Sequence, residues 1–335
     1  MVQPGFLGFL YSQLFITPPV PKSDLTGEVH IITGSNTGLG YAAAVHIARL
    51  QPAKLILAVR TPAKGEAARQ SIVTATGIDK DVIEVWKLDM SSFGSVLAFS
   101  DRCESSLDRL DGVSLNAGIE TAKFTLVEGY ESTIFVNVIA TFLLAVGLLP
   151  VLRRSAGKHN ITPRLSFVAS EVHAWAAWPE RHTPADEKIF EVMSDPARNQ
   201  KMTQMRYMES KLMEVLVFRQ FATLVSAKDD RVTTNCLNPG LCYSELGRDE
   251  VMGFTKVLRW LLARTQDVGG RTVAMGLVAG NESAGKYMHD AVVDEQALSS
   301  YAKSPEGEAM GKRLWAELRE VFEKVRPGIT DDLNQ

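Results

Sequence analysis

The chain has 335 residues, with 36 Lys or Arg against 39 Asp or Glu, a formal net charge of −3, and 45% hydrophobic residues. That length houses one large α/β domain or two smaller ones and is ample for a sizeable core. The near-balanced charge, with no basic run, speaks against nucleic acid and against an anionic membrane as the main partner, and points to a small-molecule ligand.

At the N-terminus, Phe6-Leu7-Gly8-Phe9-Leu10-Tyr11 is apolar, lacks a basic flank and a small-residue cleavage site, and is followed by Pro18, Pro19 and Pro21. It reads as a docked extension over residues 1–25 rather than a signal peptide, with peripheral lipid association left open. The first strand, Val29–Thr33, runs into Thr33-Gly34-Ser35-Asn36-Thr37-Gly38-Leu39-Gly40, which opens a helix over Tyr41–Leu50. This resembles a dinucleotide-binding turn. Gly34 lets the chain leave the strand tightly, Gly38 lets backbone approach a pyrophosphate, and Gly40 lets the helix pack closely, while the first-turn N–H groups attract phosphate. An ordinary strand-to-helix loop is the competing reading.

A second strand, Leu55–Val59, ends at Arg60, which sits 20 residues beyond Gly40. A fold preferring the unphosphorylated cofactor places a carboxylate there to hold the ribose 2′-hydroxyl, whereas a guanidinium pairs with a 2′-phosphate. The bland alternative is a solvated arginine ahead of the next helix, Lys64–Thr76. Strand Ile83–Lys87 is followed by Asp89, which suits either the exocyclic amine of adenine or the cap of helix Phe93–Leu110. Strand Gly112–Leu115 ends in Asn116-Ala117-Gly118, a small-residue turn that admits a cofactor past the backbone or is simply a β-turn. The apolar run Val138–Leu152 is shorter than a membrane span and interrupted by Pro150, so a buried core helix is expected and no integral membrane span.

After strand Arg164–Ala169 comes a long segment, Glu171–Arg206, whose Trp175, Trp178, Phe190, Met193, Met202 and Met205 are expected to wall a substrate pocket, or else to pack the segment onto the domain. Helix Tyr207–Val225, strands Val232–Leu237 and Lys286–His289, and a tail helix Glu306–Val325 complete the chain. Strands alternating with helices predict an α/β fold with a Rossmann-type doubly wound parallel sheet in a single domain. That domain spans 26–290, with a helical tail over 291–335. Cys103, Cys236 and Cys242 are odd in number and widely spaced, against both a disulfide framework and a zinc site and in favour of a reducing, cytoplasmic setting.

Tyr207 and Lys211, four apart, share a helix face. An ammonium beside the phenol favours phenolate and brings the tyrosine toward working pH, fitting it to give a proton to a developing alkoxide. Alone, such a pair is common on exposed helices. In company it is not: TGxxxGxG at Thr33–Gly40, NAG at Asn116–Gly118, Asn137 in a long apolar helix, Ser170 at a strand end, YxxxK at Tyr207–Lys211 and NPG at Asn238–Gly240 resemble, in order and spacing, the short-chain dehydrogenase/reductase family over roughly residues 26–290. The Phe9-Leu10-Tyr11…Pro18-Pro19 opening, the Ala58-Val59-Arg60…Lys64-Gly65-Glu66 run and the Ser304-Pro305-Glu306-Gly307 tail resemble fungal, retinol-dehydrogenase-like members, many from secondary metabolism.

The resemblance implies Tyr207 as general acid/base, Lys211 as the residue that tunes it and holds the nicotinamide ribose, Ser170 as the hydroxyl orienting the substrate oxygen, and Asn137 as holder of a water in the proton relay. Read from the residues alone, Ser170 is equally a strand-end cap and Asn137 a satisfied core amide. Cofactor contacts are implied for Gly34, Asn36, Thr37, Gly38, Leu39, Gly40, Arg60, Asp89, Asn116, Ala117, Gly118, Tyr207, Lys211, Pro239, Gly240 and Ser244. Leu115 stands where the family often has a second Asn, and Ser244 where a Thr commonly follows the NPG turn. The expected activity is NADPH-dependent reduction of a ketone or aldehyde of a bulky, largely apolar molecule. The alternatives are a non-redox cyclase or isomerase on the same scaffold, or a binding protein that senses NADP(H). No metal is expected, and a homo-oligomer stays open.

Overall fold

An eight-stranded sheet organises the computed structural model, which describes residues 5–199, 205–228, 231–243, 246 and 262–333. Its strands are β1 (Val29–Thr33), β2 (Lys54–Val59), β3 (Ile83–Lys87), β4 (Gly112–Leu115), β7 (Arg164–Val168), β8 (Thr233–Asn238), β9 (Lys286–His289) and β10 (Val292–Val293), with β5 (Leu126–Val127) and β6 (Tyr130–Glu131) forming a separate small hairpin. The order across the sheet is β3-β2-β1-β4-β7-β8-β9-β10, parallel throughout except for the β9–β10 edge. Strands such as β4 and β8 are buried along their whole length. This is why they read as continuous rather than alternating apolar runs: both faces are covered.

The helices are α1 (Phe6–Phe15), α2 (Gly38–Arg49), α3 (Pro62–Thr76), α4 (Phe93–Ser106), α5 (Ser132–Ile134), α6 (Thr141–His159), α7 (Ile189–Ser194), α8 (Met205–Lys228), α9 (Gln266–Val278), α10 (Ser300–Lys303) and α11 (Pro305–Val325). Ile47, Ile72, Val273 and Leu277 from α2, α3 and α9 pack with Leu55 and Leu57 on one face of the sheet. Phe99, Phe142, Phe218 and Leu314 from α4, α6, α8 and α11 build the larger core on the other, with Phe167. Element limits shift for local reasons. α2 begins at Gly38, because Thr37 takes the N-cap position; α3 begins at Pro62, whose missing N–H costs nothing at a helix start; and α4 stops at Ser106 because Leu107 turns extended.

Two expectations are corrected. Pro150 does not interrupt its helix; α6 runs through it to His159. The continuous helical stretch 132–159 is long and apolar enough to cross a membrane, yet most of it is buried inside the protein, where Leu143, Leu144 and Leu148 are wholly covered. The segment after β7 is not a freely lined pocket wall: Trp178, Phe190 and Met193 are fully buried core residues. They are clamped against α11, where Glu317 accepts the N–H groups of Ile189 (3.0 Å) and Phe190 (3.2 Å) and Arg313 donates to the carbonyls of Thr183, Pro184 and Glu187. Met205 is half-buried at the start of α8, and Met202 lies outside the described residues.

α1 is amphipathic in an inverted sense. Ser12 and Gln13 are buried with Phe9, whereas Phe6, Leu7, Tyr11, Leu14 and Phe15 are exposed, Leu7 by 82%. Its polar side docks on a buried charge cluster: the Ser12 hydroxyl donates to Asp290 (2.8 Å), and Arg264 Nη2 reaches the carbonyls of Ser12 (2.8 Å) and Ile16 (3.0 Å) and the Asp290 carboxylate (2.7 Å). Asp290 and Ala291 form the two-residue β9–β10 turn at φ 51° and 68°. Both residues sit in a left-handed conformation that costs non-glycine residues of order ~1 kcal/mol each, so the turn persists because the cluster fixes it.

Burial alone would raise the Asp290 carboxyl, but His289, Arg264 and the Ser12 hydroxyl outweigh it and hold it at about 2. An unfolded aspartate titrates near ~3.9, so the stabilisation is complete above that pH and is lost as pH falls through about 2. Urea unfolding is therefore expected to weaken across that window. Asp290→Asn, which strands the buried Arg264, should cost about 3–5 kcal/mol at neutral pH and flatten the acid dependence; a variant as stable as the parent would contradict the assignment.

Candidate active site at the strand switch

The strand order reverses between β1 and β4, and ligands of doubly wound sheets bind beyond the strand ends at such a reversal. Thr33 laces the two ends together. Its hydroxyl accepts the N–H groups of Asn116 (2.9 Å) and Ala117 (2.9 Å) and donates to the Ser114 carbonyl (3.2 Å), while Asn116 Nδ2 donates to the Thr33 carbonyl (2.9 Å). The glycine turn threads this junction. Gly34 has φ 65° and a Cβ there would lie 3.0 Å from Ala117 Cα; a Cβ on Gly40 would lie 2.5 Å from the Gly34 carbonyl oxygen. Gly38, at φ 61°, differs, because a Cβ there would meet nothing within 4 Å. Beside it Thr37 is exposed and gives the helix no side-chain cap, so the α2 N-terminus faces open space. Asn36 and Leu39 are half-buried at the same turn.

Ser170, just beyond β7, accepts from the N–H of Val172 (3.5 Å) at the head of the short helix Glu171–Trp175, and its hydroxyl also acts on the Tyr207 phenol, favouring the phenolate. Strand-end cap and site hydroxyl are thus the same group. Tyr207 is half-buried, and Lys211 Nζ lies 5.8 Å from the centre of its ring. The ammonium donates to the Val168 carbonyl (2.8 Å) and to Glu214 Oε2 (2.7 Å). The turn after β4 passes directly above: a Cβ on Gly118 would lie 3.1 Å from Asn137 Oδ1 and 3.9 Å from Lys211 Nζ.

Asn137 sits in a π-helical turn, Phe135–Ala140, that joins α5 to α6. Its amide exchanges hydrogen bonds with Ile119 in both directions (2.9 Å each) and donates to Ser210 Oγ (3.0 Å), whose hydroxyl in turn donates to the Tyr207 carbonyl (2.7 Å). Both amide donors are therefore spent on protein, and the side chain ties the post-β4 loop to α8.

The electrostatics correct one expectation. Burial pushes the Tyr207 phenol above its ordinary value despite Lys211, with Glu120 and Glu214 adding in the same sense. Lys211 itself, which burial alone would lower, is held high by the Glu214 carboxylate, and burial raises Glu214. The ammonium is shared with a carboxylate, so less of its field reaches the phenol than the spacing of Tyr207 and Lys211 suggested.

Arg60 follows β2, exposed and hydrogen-bonded to none of the described residues. Asp89 closes a turn by accepting from the N–H (3.0 Å) and hydroxyl (2.6 Å) of Ser91, and the cap of α4 is Ser92 instead. Pro239 and Gly240 follow β8, and Gln13 of α1 holds their loop, donating to the carbonyls of Leu241 (2.8 Å) and Leu262 (2.9 Å) and accepting from the Leu241 N–H (3.2 Å). Ser244 lies outside the described residues. Trp175 is 38% exposed and meets Phe9 edge-on at 5.3 Å, whereas Trp178 presents no surface to a ligand. Among the described residues no group of His, Cys, Asp or Glu converges to hold a metal. Sequence reasoning missed Ser210, Glu214 and Gln13. Glu214 left a signal, a lone carboxylate in the apolar run Leu212–Phe218 on the face of Lys211; Gln13 left none.

Residues 28–162 match the family model of the short chain dehydrogenase. The chain is 44% identical over 331 residues to the short-chain dehydrogenase anuD of Penicillium roqueforti, covering 96% of this chain and 84% of that one. It belongs to the short-chain dehydrogenase/reductase family. A second relative, the short chain dehydrogenase/reductase dmxR8 of Cryptosporiopsis sp., is 41% identical over 97% of this chain and 100% of its own length. The fold is shared with an uncharacterised Mycobacterium paratuberculosis protein (TM-score 0.63, 23% identity, covering 90% of this chain and 96% of that one) and with L-sorbose reductase from Gluconobacter frateurii, solved with NADPH and L-sorbose (TM-score 0.59, 20% identity, covering 80% and 97%).

The two tryptophans give a test. Trp178→Ala is expected to cost about 3–5 kcal/mol in urea unfolding, as a large core side chain removed without collapse of its site. Trp175→Ala should cost no more than about 1 kcal/mol. Similar losses at both positions would contradict their placement.

Proposed function

We propose that the protein is an NADPH-dependent carbonyl reductase of fungal secondary metabolism, acting on a ketone or aldehyde of a bulky, largely apolar small molecule. The observation that carries this reading is the meeting of Ser170, Tyr207 and Lys211 beyond the carboxyl ends of the parallel strands, beside the open glycine turn. The residues fit a dinucleotide. The α2 N-terminus, without a side-chain cap and with Gly38 beside it, suits a pyrophosphate; Arg60, exposed and bonded to none of the described residues, suits a 2′-phosphate; and Lys211 has a third N–H for ribose hydroxyls. Asn36, Leu39, Asp89, Asn116, Ala117, Gly118, Pro239, Gly240 and Ser244 complete the proposed cradle. The bound nicotinamide supplies the hydride.

Ser170 and Tyr207 both donate to the substrate oxygen, which polarises the carbonyl and fixes its orientation. Tyr207 then gives up its proton as charge develops on that oxygen, and Lys211 stabilises the phenolate left behind. Asn137 acts at one remove, keeping the post-β4 loop and α8 in register through Ile119 and Ser210. Trp175, exposed on the short helix that follows Ser170 and backed by the buried Phe9, supports an apolar substrate body. A catalytic domain over 26–290, an extension over 1–25, a tail over 291–335 and a cytosolic setting, in keeping with three free, buried cysteines, belong to the same proposal.

Loss of reduced-nicotinamide absorbance with a panel of ketones tests the reading directly. Tyr207→Phe is expected to lower turnover by about 10²–10⁴-fold while NADPH affinity stays within a few fold, because the phenol acts on the substrate oxygen and not on the phosphates. Arg60→Asp should weaken NADPH by about 10- to 100-fold, the value of a charge-assisted pair of ~1.5–3 kcal/mol, and NADH far less. Equal weakening of both cofactors would remove Arg60 from the 2′-phosphate site, and near-normal reduction by Tyr207→Phe would place the proton donor elsewhere.

A further inference from the structure

Tyr207, Lys211 and Glu214 occupy successive turns on one face of α8. Lys211 and Glu214 are both buried, 5% and 1% exposed, and the Glu214 carboxylate makes no hydrogen bond among the described residues except to the ammonium. A buried carboxylate is expensive, and a neutral side chain would fill the same space in an apolar helix. Its position therefore calls for an account beyond packing.

We propose that Glu214 is a positioning residue for Lys211: its carboxylate and the Val168 carbonyl fix the ammonium, and its charge offsets that of the ammonium at Tyr207, keeping the phenol in its proton-donating form. The inference rests on the reductase reading for its catalytic meaning. The physics is that of a charge turned into a dipole. A lone ammonium 5.8 Å from the phenol ring favours phenolate; with a carboxylate 2.7 Å from that ammonium, acting on the phenol in the opposite sense, the net field at the ring falls. Reduction consumes the phenol proton, so this arrangement keeps the enzyme in its reduction-competent form to higher pH.

The groups facing the pair are few. Glu120, from the loop after β4, acts on Tyr207 in the same sense as Glu214, while the Ser170 hydroxyl at the end of β7 acts in the opposite sense. Cys236 on β8 and Tyr287 on β9 also feel the Glu214 charge, and both are pushed well up by burial and so are neutral. Neither supplies a competing charge.

Glu214→Gln keeps the shape and removes the charge. Tyr207 is followed by NMR of the full chain carrying tyrosine labelled at Cζ, with Tyr207→Phe assigning its signal; the measurement needs no turnover. The titration of Tyr207 is expected to move down by about one pH unit or more in Glu214→Gln. With NADPH and a ketone, the alkaline limb of kcat/KM should move down with it by a similar amount. Glu214→Asp, which retains the charge, should shift Tyr207 less than Glu214→Gln and, should the Gln variant not fold, is measured alone for a smaller shift of the same sign. An unchanged Tyr207 titration overturns the proposal whatever the activity does. A shifted titration in a protein that reduces no carbonyl upholds the Glu214 effect on Tyr207 and removes the reductase reading.

Discussion

One hydroxyl, that of Thr33, holds the place where the sheet divides. From β1 the chain builds outward to β2 and β3 on one side, and from β4 to β7, β8 and β9 on the other, so the connections on either side of the divide diverge and leave a crevice above it. Three hydrogen bonds at Thr33 Oγ1, together with the return bond from Asn116, keep the two strand ends from parting. Each bond is worth only about 1 kcal/mol net, but leaving such buried groups unpaired costs more. The glycine turn, the Asn116-Ala117-Gly118 turn and, through Ile119 and Asn137, the helix bearing Tyr207 all take their positions from that junction.

Two buried ion pairs bear on the site and on the docking of α1. Lys211 with Glu214 lies under the proton-donating tyrosine, and Arg264 with Asp290 lies under α1. In the second pair the carboxyl is drawn down and a strained hairpin turn is held by it; in the first the carboxyl is raised by burial while the ammonium is held high. The contrast follows from what surrounds each acid: Asp290 meets the Arg264 guanidinium, the His289 ring and a hydroxyl, whereas Glu214 meets one ammonium inside an apolar helix packing.

Much of this was legible in the sequence. The parallel strands announced themselves as β-branched runs because both faces are buried, and the site residues stood at strand ends because the fold puts ligands there. The rest depended on partners far away in the chain. Trp178 and Phe190 look like pocket lining until Glu317 and Arg313 of α11 are seen to pin their segment down. Pro150 looks like an interruption until it is seen to stand on the exposed side of α6, with Leu148, Leu149, Val151 and Leu152 buried around it and carrying the helix past it. The effect of Lys211 on Tyr207 could be read from spacing, but its sign in the balance could not, since burial and Glu214 oppose it. Helical spacing says which side chains are neighbours; it does not say how much water they have lost.

The inverted polarity of α1 makes the amino-terminal segment a mechanical partner of the loop after β8. Gln13 hydrogen-bonds that loop on both of its sides, and Arg264 ties Ser12 and Ile16 to the sheet edge. Stiffness in one is therefore stiffness in the other, and thermodynamic reciprocity makes the exchange two-way. A ligand that settles against the Pro239–Gly240 turn also slows fraying of the first helix, so the protease sensitivity of residues 16–24 serves as a remote gauge of how firmly the turn is held.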